Sequence, residues 1–180
     1  MLVFLIAAQT LDGKIAKQSE ERSFDWTSQE DKRWHVRKTR EAGVLIMGRK
    51  TYQTFNTPLP GRLNLIYSRR AEQFLSMSDQ DVIAQKGKTL LLYTSGSPLQ
   101  LVDKLERCHY TQLSVSGGVS VYRQFLEAGV VGKIYLTIEP YIFGEGISMF
   151  DQLTVEPQLS LVDTHQLNSN TLVLEYQVSI

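Results

Sequence analysis

At 180 residues the chain is long enough to bury a sizeable core and reads as a single domain, residues 1–180. Apolar residues make up 42% of it and charged residues 21%, and 19 Lys+Arg balance 19 Asp+Glu, which argues against a broad nucleic-acid or membrane surface. The lone cysteine, Cys108, excludes an intrachain disulfide, and no Cys/His group has metal-ligand spacing, so a reducing, cytoplasmic setting without a bound metal is expected.

The apolar opening run, Leu2 to Ala8, lacks the basic segment of a signal peptide and is interrupted by Gln9, Thr10 and Asp12, so it reads as a strand buried on both faces. Asp12-Gly13-Lys14 is a turn, and the polar, aperiodic stretch Lys17 to Asp25 reads as a mobile surface loop of the kind that can close over a cleft. Thr27-Ser28-Gln29-Glu30 has capping-box spacing with Thr27 as the cap, and predicts a helix to Ala42 ended by Gly43. The inward stripe of that helix passes through Asp31, Trp34, His35, Thr39 and Ala42. Asp31 has two readings here. It could be a partner of the helix dipole, or a carboxylate facing a cleft without a fixed cation, which is the setting of a functional group. Trp34 reads as core, and His35 is open to either reading.

Val44 to Met47 is the next buried strand, and it turns at Gly48 into Arg49-Lys50-Thr51 and a short helix to Phe55. A strand that hands over to a helix at a glycine leaves free N–H groups at the sheet edge, and two cations and a hydroxyl stand at the same place. Solvated turn charges would give the same pair of basic residues. After the Leu59-Pro60-Gly61-Arg62 turn, however, the strand Leu63 to Tyr67 also ends in a hydroxyl and cations, Ser68-Arg69-Arg70. Two strand ends in register on one edge point to an anionic ligand.

Val82 to Ala84 is expected as a short edge strand and Thr89 to Tyr93 as a buried one. Ser97-Pro98 predicts a helix to Cys108 with Leu99, Val102 and Leu105 inward. Leu113 to Val115 runs into Ser116-Gly117-Gly118 and a helix carrying Val121, Tyr122, Phe125 and Leu126, closed by Gly129. The glycine pair would let a ligand approach the backbone, although such turns are common and no complete dinucleotide fingerprint is present. Lys133 to Ile138 stops at Pro140, Gly144-Glu145-Gly146 suggests a bend, and Leu159 to Leu167 with Thr171 to Val178 form a hairpin, the last strand having one core face and one largely wet. The expected fold class is α/β: a mostly parallel sheet of about eight strands, about four flanking helices and a C-terminal antiparallel hairpin.

Along nearly its whole length the chain resembles the dihydrofolate reductase family. LIAAQTLDGKIA is similar to the family's first strand and active-site loop, DWTSQEDKRWHVRKT to its carboxylate-bearing helix with Trp26, Asp31 and Thr39 in place, and LIMGRKTYQTF and LPGRLNLIYSR to its most specific signatures. SGGVSVYRQFL resembles the diglycine segment, and KIYLTIEPYIFGEGISMF the late strand with a threonine beneath the carboxylate. The resemblance implies reduction of 7,8-dihydrofolate to tetrahydrofolate by hydride from NADPH, with Asp31 and Thr137 as the catalytic pair. It implies a substrate site of Ala8, Asp31, His35, Phe55, Leu59, Arg62 and Ser116, in which Arg62 meets the carboxylate of the glutamyl tail. The implied cofactor site is Ala8, Ile15, Gly48, Arg49, Lys50, Thr51, Tyr67, Ser68, Arg69, Gly117, Gly118, Val119, Ser120, Val121, Tyr122 and Gln124, with Ser68 and Arg69 on the 2′-phosphate. The expected partner is a small molecule, with no nucleic acid or membrane, and the protein a monomer or homodimer.

The sequence departs from the family at His35, where a large apolar residue is usual, at Lys32, at Ser116 before the glycines, and at Asp25, which replaces a proline in a longer loop. TLDGKIA and FGEGISMF are also similar to the reductase domain of riboflavin biosynthesis, which reduces a ribosylaminopyrimidine phosphate with NADPH and is the alternative reading. A non-catalytic nucleotide-binding module is the second alternative, against which stands Asp31, a carboxylate that cofactor binding alone does not need.

Overall fold

The computed structural model describes residues 1–18, 21, 23–69 and 71–179. Positions 19, 20 and 22 of the expected Lys17 to Asp25 loop, and Arg70 of the Ser68-Arg69-Arg70 turn, lie outside the described residues. In chain order the elements are β1 (Leu2–Thr10), β2 (Lys14–Ala16), α1 (Ser23–Trp26), α2 (Gln29–Ala42), β3 (Val44–Gly48), α3 (Arg49–Phe55), β4 (Leu63–Tyr67), α4 (Asp79–Ala84), β5 (Leu90–Thr94), α5 (Pro98–Arg107), β6 (Gln112–Val115), α6 (Val119–Glu127), β7 (Lys133–Glu139), β8 (Ile147–Ser148), β9 (Gln158–Gln166) and β10 (Leu172–Ser179).

Eight strands form one sheet in the order β5-β4-β3-β6-β1-β7-β10-β9, and β2 pairs with β8 apart from it. The pairs from β5 to β7 are parallel, while β10 runs antiparallel to both β7 and β9. Alternation along β1 divides the core, because successive side chains leave opposite faces of a strand. Val3 and Leu5 join the large cluster that includes Leu105, Phe125 and Leu126 from α5 and α6, whereas Phe4 and Ile6 meet Trp34, Ala42, Tyr135 and Val173 beneath α2. A third cluster, Leu45, Met47 and Ile66, lies under Tyr52, Phe55 and Leu59. A sheet covered on both faces explains why β1, β3 and β4 read as unbroken apolar runs.

Four local expectations are corrected. Val82 to Ala84 belongs to helix α4 and not to a strand: Ser78 caps it by accepting from the Asp81 N–H at 3.1 Å, and only Val82 of the three is buried. Helix α2 is capped by Ser28 and not Thr27, its hydroxyl accepting from the Asp31 N–H at 3.2 Å. In α5 the inward stripe is Pro98, Leu101, Lys104 and Leu105, which leaves Leu99 61% exposed one position off that line. In β10 both faces are partly covered: Val173 faces α2, Val178 joins the large cluster, and Glu175 is only 8% exposed because Lys133 and His165 hold its carboxylate.

Part of the expected loop is the short helix α1, whose Phe24 packs edge-on against His35 and Phe55 at centroid distances of 5.9 and 5.0 Å. Cys108 is buried at the end of α5 with its sulfur 3.8 Å from the Asp79 carbonyl, and burial pushes its thiol pKa up. No helix among the described residues is long and apolar enough to cross a membrane.

Candidate active site

The sheet order carries the site. The chain leaves β1, builds β3, β4 and β5 on one side, then returns to insert β6 beside β1 and add β7 on the other. At such a reversal the loops beyond the strand carboxyl ends diverge and leave a crevice. A cavity of about 980 Å³ lies there, reached by Ile6 to Ala8 of β1, Gly48 to Thr51 after β3, Tyr67 to Arg69 after β4, Ser95 after β5 and Ser116 to Tyr122 after β6.

One end is built of backbone and small polar groups. Gly48 and Gly118 are the N-caps of α3 and α6, and neither helix has a side-chain cap, so their first N–H groups have no acceptor from the cap residue. The two starts are clamped together, the Gly48 N–H donating to the Gly117 carbonyl at 2.7 Å. Gly117 has φ +112°, a region that disfavours side chains, and it joins Gly118 through a cis peptide. A Cβ on Gly118 would stand 3.1 Å from Thr51 Oγ1, so the glycine keeps that approach open. The Tyr122 hydroxyl donates to the Ile6 carbonyl at 2.9 Å and fixes α6 against β1. Arg49, Lys50 and Arg69 stay exposed on the rim.

The other end is enclosed. Asp31, 8% exposed in the first turn of α2, lines the floor, where the hydroxyls of Thr137 and Thr27 donate to its carboxyl group. Burial is the main cause that lifts its pKa from 3.8 to about 6; the charge of Glu139 adds to this, while the hydroxyl bonds and Lys32 oppose it. His35, one turn along, lines the same space with Phe24 and Phe55. Burial first, and the Arg62 guanidinium second, press its pKa down to about 4, and its Nδ1 is buried without a hydrogen-bond partner among the described residues.

The cavity brings together every site residue expected from the sequence except Leu59, Arg62 and Thr137. Thr137 lies just beneath, bonded to Asp31. Leu59 packs in the third apolar cluster, its N–H donating to the Asn64 side chain at 2.8 Å. Arg62 is 1% exposed and turned into the fold, where its guanidinium donates to the Thr39 hydroxyl and to the Pro60 carbonyl at 3.1 Å. Ser116 is on the wall, with its N–H on the Ile46 carbonyl and its hydroxyl 3.0 Å from that of Ser114. The sequence reading missed Phe24, Thr54, Ser95 and Ile147 on the lining, and Glu139 and Thr27 behind Asp31. No periodicity marks these residues, since they come together only through the tertiary fold. Away from the cavity, ligand atoms of Asp163, His165 and Glu175 lie within 4.8 Å of one another on the β9–β10 hairpin, with Glu175 already held by Lys133.

Comparison with known proteins gives the same architecture. The profile of the RibD C-terminal domain matches residues 2–173. The structure of a pyrimidine reductase-like protein from Corynebacterium diphtheriae superposes with a TM-score of 0.75 at 18% identity, over 99% of this chain and 92% of that one. Dihydrofolate reductase from Enterococcus faecalis, complexed with NADP(H) and RAB-propyl, superposes with a TM-score of 0.64 at 19% identity, over 99% and 97%. In sequence, dihydrofolate reductase type 9 of Escherichia coli is 33% identical over 117 residues, which is 65% of this chain and 60% of that protein.

Proposed function

The chain belongs to the RibD C-terminal domain family, and from that premise we propose that it is an NADPH-dependent reductase of a small nitrogen heterocycle, with an aminopyrimidine ahead of dihydrofolate as substrate. One observation carries the reading: a buried carboxylate, Asp31, held by hydroxyls at the closed end of a cavity whose open end presents uncapped helix starts, glycines and exposed cations. Binding alone has no need of the carboxylate, and a proton-transfer site has no need of the glycines.

The open end suits a phosphorylated dinucleotide. A side chain at Gly118 would crowd Thr51, so the glycine leaves room for a pyrophosphate against the backbone, and Arg49, Lys50 and Arg69 supply the opposite charge. When bound there, NADPH supplies a hydride to the carbon of a carbon–nitrogen double bond. Asp31 holds a proton toward the nitrogen of that bond, directly or through one water, and a group of pKa about 6 can both keep and release a proton near neutral pH. Phe24, Phe55, Ile6 and Ala7 exclude water around the reacting atoms.

The sequence reading ranks dihydrofolate first and the ribosylaminopyrimidine phosphate second. We reverse the order because the matching family is that of RibD and because Arg62, expected to grip the glutamyl carboxylate, is engaged with Thr39 and Pro60 inside the fold. Dihydrofolate remains the second reading, favoured by the Gly48-Arg49-Lys50-Thr51 and Leu59-Pro60-Gly61-Arg62 signatures and by the likeness to the type 9 enzyme. Oxidation of NADPH measured with the ribosylaminopyrimidine phosphate, with dihydrofolate and with a tail-free dihydropterin tests the order. Turnover of the first is expected to exceed the others. Turnover of dihydrofolate alone would reverse the ranking, and oxidation with none of the three would remove the reductase reading.

A further inference from the structure

Glu139 is a second buried acid beside the cavity, and the reaction proposed above does not use it. It closes β7 two residues after Thr137, and so leaves the strand on the same face as the threonine that bonds Asp31. It is 1% exposed and is not on the cavity lining. One carboxylate oxygen accepts from both the N–H and the hydroxyl of Ser28 at 2.8 Å, and the other accepts from the Thr171 hydroxyl at 3.0 Å. All three bonds are accepted and none donated, the pattern of an ionised carboxylate. Among the described residues no cation pairs with it.

Ser28 links the two acids. While its hydroxyl donates to Glu139, its oxygen accepts the Asp31 N–H at 3.2 Å, so the residue that caps α2 also fixes the anion behind the first turn. The other titratable groups around Asp31 do not replace this one. Lys32 is its sequence neighbour and only a weak opposing charge, Tyr122 from α6 is a buried phenol bonded to Ile6, His35 is neutral one turn along, and Glu30 is bonded to Asn168. From β1 the cavity receives Ile6, Ala7 and Ala8, which carry no charge.

We propose that Glu139 is a positioning residue, a fixed anion behind Asp31 that keeps a transferable proton on Asp31 at the cavity floor. It acts through Asp31 and touches neither substrate nor cofactor. The inference rests on the reading of Asp31 as the proton-handling group, but its test does not depend on turnover.

The test follows the carboxyl carbon of Asp31 by NMR in the ligand-free full chain, labelled at aspartate and glutamate, across a pH titration. In the unaltered protein the Asp31 carboxyl is expected to titrate with its midpoint near 6, well above the free value of 3.8. In Glu139→Gln, which keeps an acceptor for Ser28, the Asp31 midpoint is expected to fall by about one unit, which leaves about tenfold less protonated Asp31 at neutral pH. Thr171→Val removes one bond but keeps the anion, and is expected to move the midpoint by a few tenths at most. An unmoved midpoint in Glu139→Gln, an equal fall in both variants, or an Asp31 midpoint at the free value of 3.8 in the unaltered protein would each overturn the proposal. The last criterion needs no variant to fold. A protein that shows the fall in Glu139→Gln yet oxidises NADPH with no heterocycle loses the reductase reading and keeps this one.

Discussion

The two ends of the cavity treat charge in opposite ways. At the open end Arg49, Lys50 and Arg69 remain in water on the rim, beside the glycine-capped starts of α3 and α6. At the closed end the ionisable groups are stripped of water, and burial moves both toward the neutral form: Asp31 up to about 6 and His35 down to about 4. Cations that only bind an anion gain nothing from desolvation, which would cost them hydration. A group that must exchange a proton gains from a surrounding that brings its two forms close in free energy.

The contrast can be broken in four places. The largest expected effect is at the closed end: Asp31→Asn should cut turnover by about 100-fold or more while NADPH binding stays within a few-fold. The same variant should be the more stable protein in alkali. The folded Asp31 titrates at about 6 against 3.8 for the free group, so the fold binds the extra proton between those values. Stability therefore falls as pH rises through that window, and above it the ionised group costs up to about 3 kcal/mol, part of which the amide recovers. Denaturant melts at pH 8 and pH 4 should show a gain at the first that vanishes at the second.

His35 titrates the other way and gives the next effect. Its folded value of about 4 lies below the free value of 6.5, so its contribution is complete above 6.5 and is lost as pH falls toward 4. His35→Phe should flatten the acid loss of stability by up to about 3 kcal/mol between those limits, read as denaturation midpoints against pH. At the open end, Arg69→Ala should weaken NADPH by about tenfold and leave NADH nearly unchanged in a direct binding titration. Equal loss of both cofactors would take Arg69 off the 2′-phosphate. Tyr122 bridges the ends, so Tyr122→Phe, which removes only the bond to Ile6, should cost about 1 kcal/mol in thermal unfolding and shift neither end preferentially.

Much of the fold was legible because it is written locally. Apolar runs that stop at Gly48, Tyr67 and Ser116 announce parallel strands and the edge where their loops meet, and the helix that bears Asp31 shows its inward stripe. The closed end was less legible because its contacts join distant segments. Ser28 and Glu139 are 111 positions apart, and neither residue type signals the other. Arg62 shows a second limit: the turn that carries it can be read, but the direction of a long side chain depends on which acceptors the tertiary fold brings near, here Thr39 and Pro60. Val82 shows a third, since a three-residue apolar run has no period of its own and the Ser78 cap decides for helix.

Cys108, shut between α4 and α5, offers an internal counter of another kind. With a single sulfhydryl per chain, and that one raised in pKa by its burial, covalent labelling in mild conditions has one target and no background. Each event of uptake then records one excursion in which this flank of the sheet parts from its helices, so the breathing of the scaffold can be timed apart from anything that happens in the crevice.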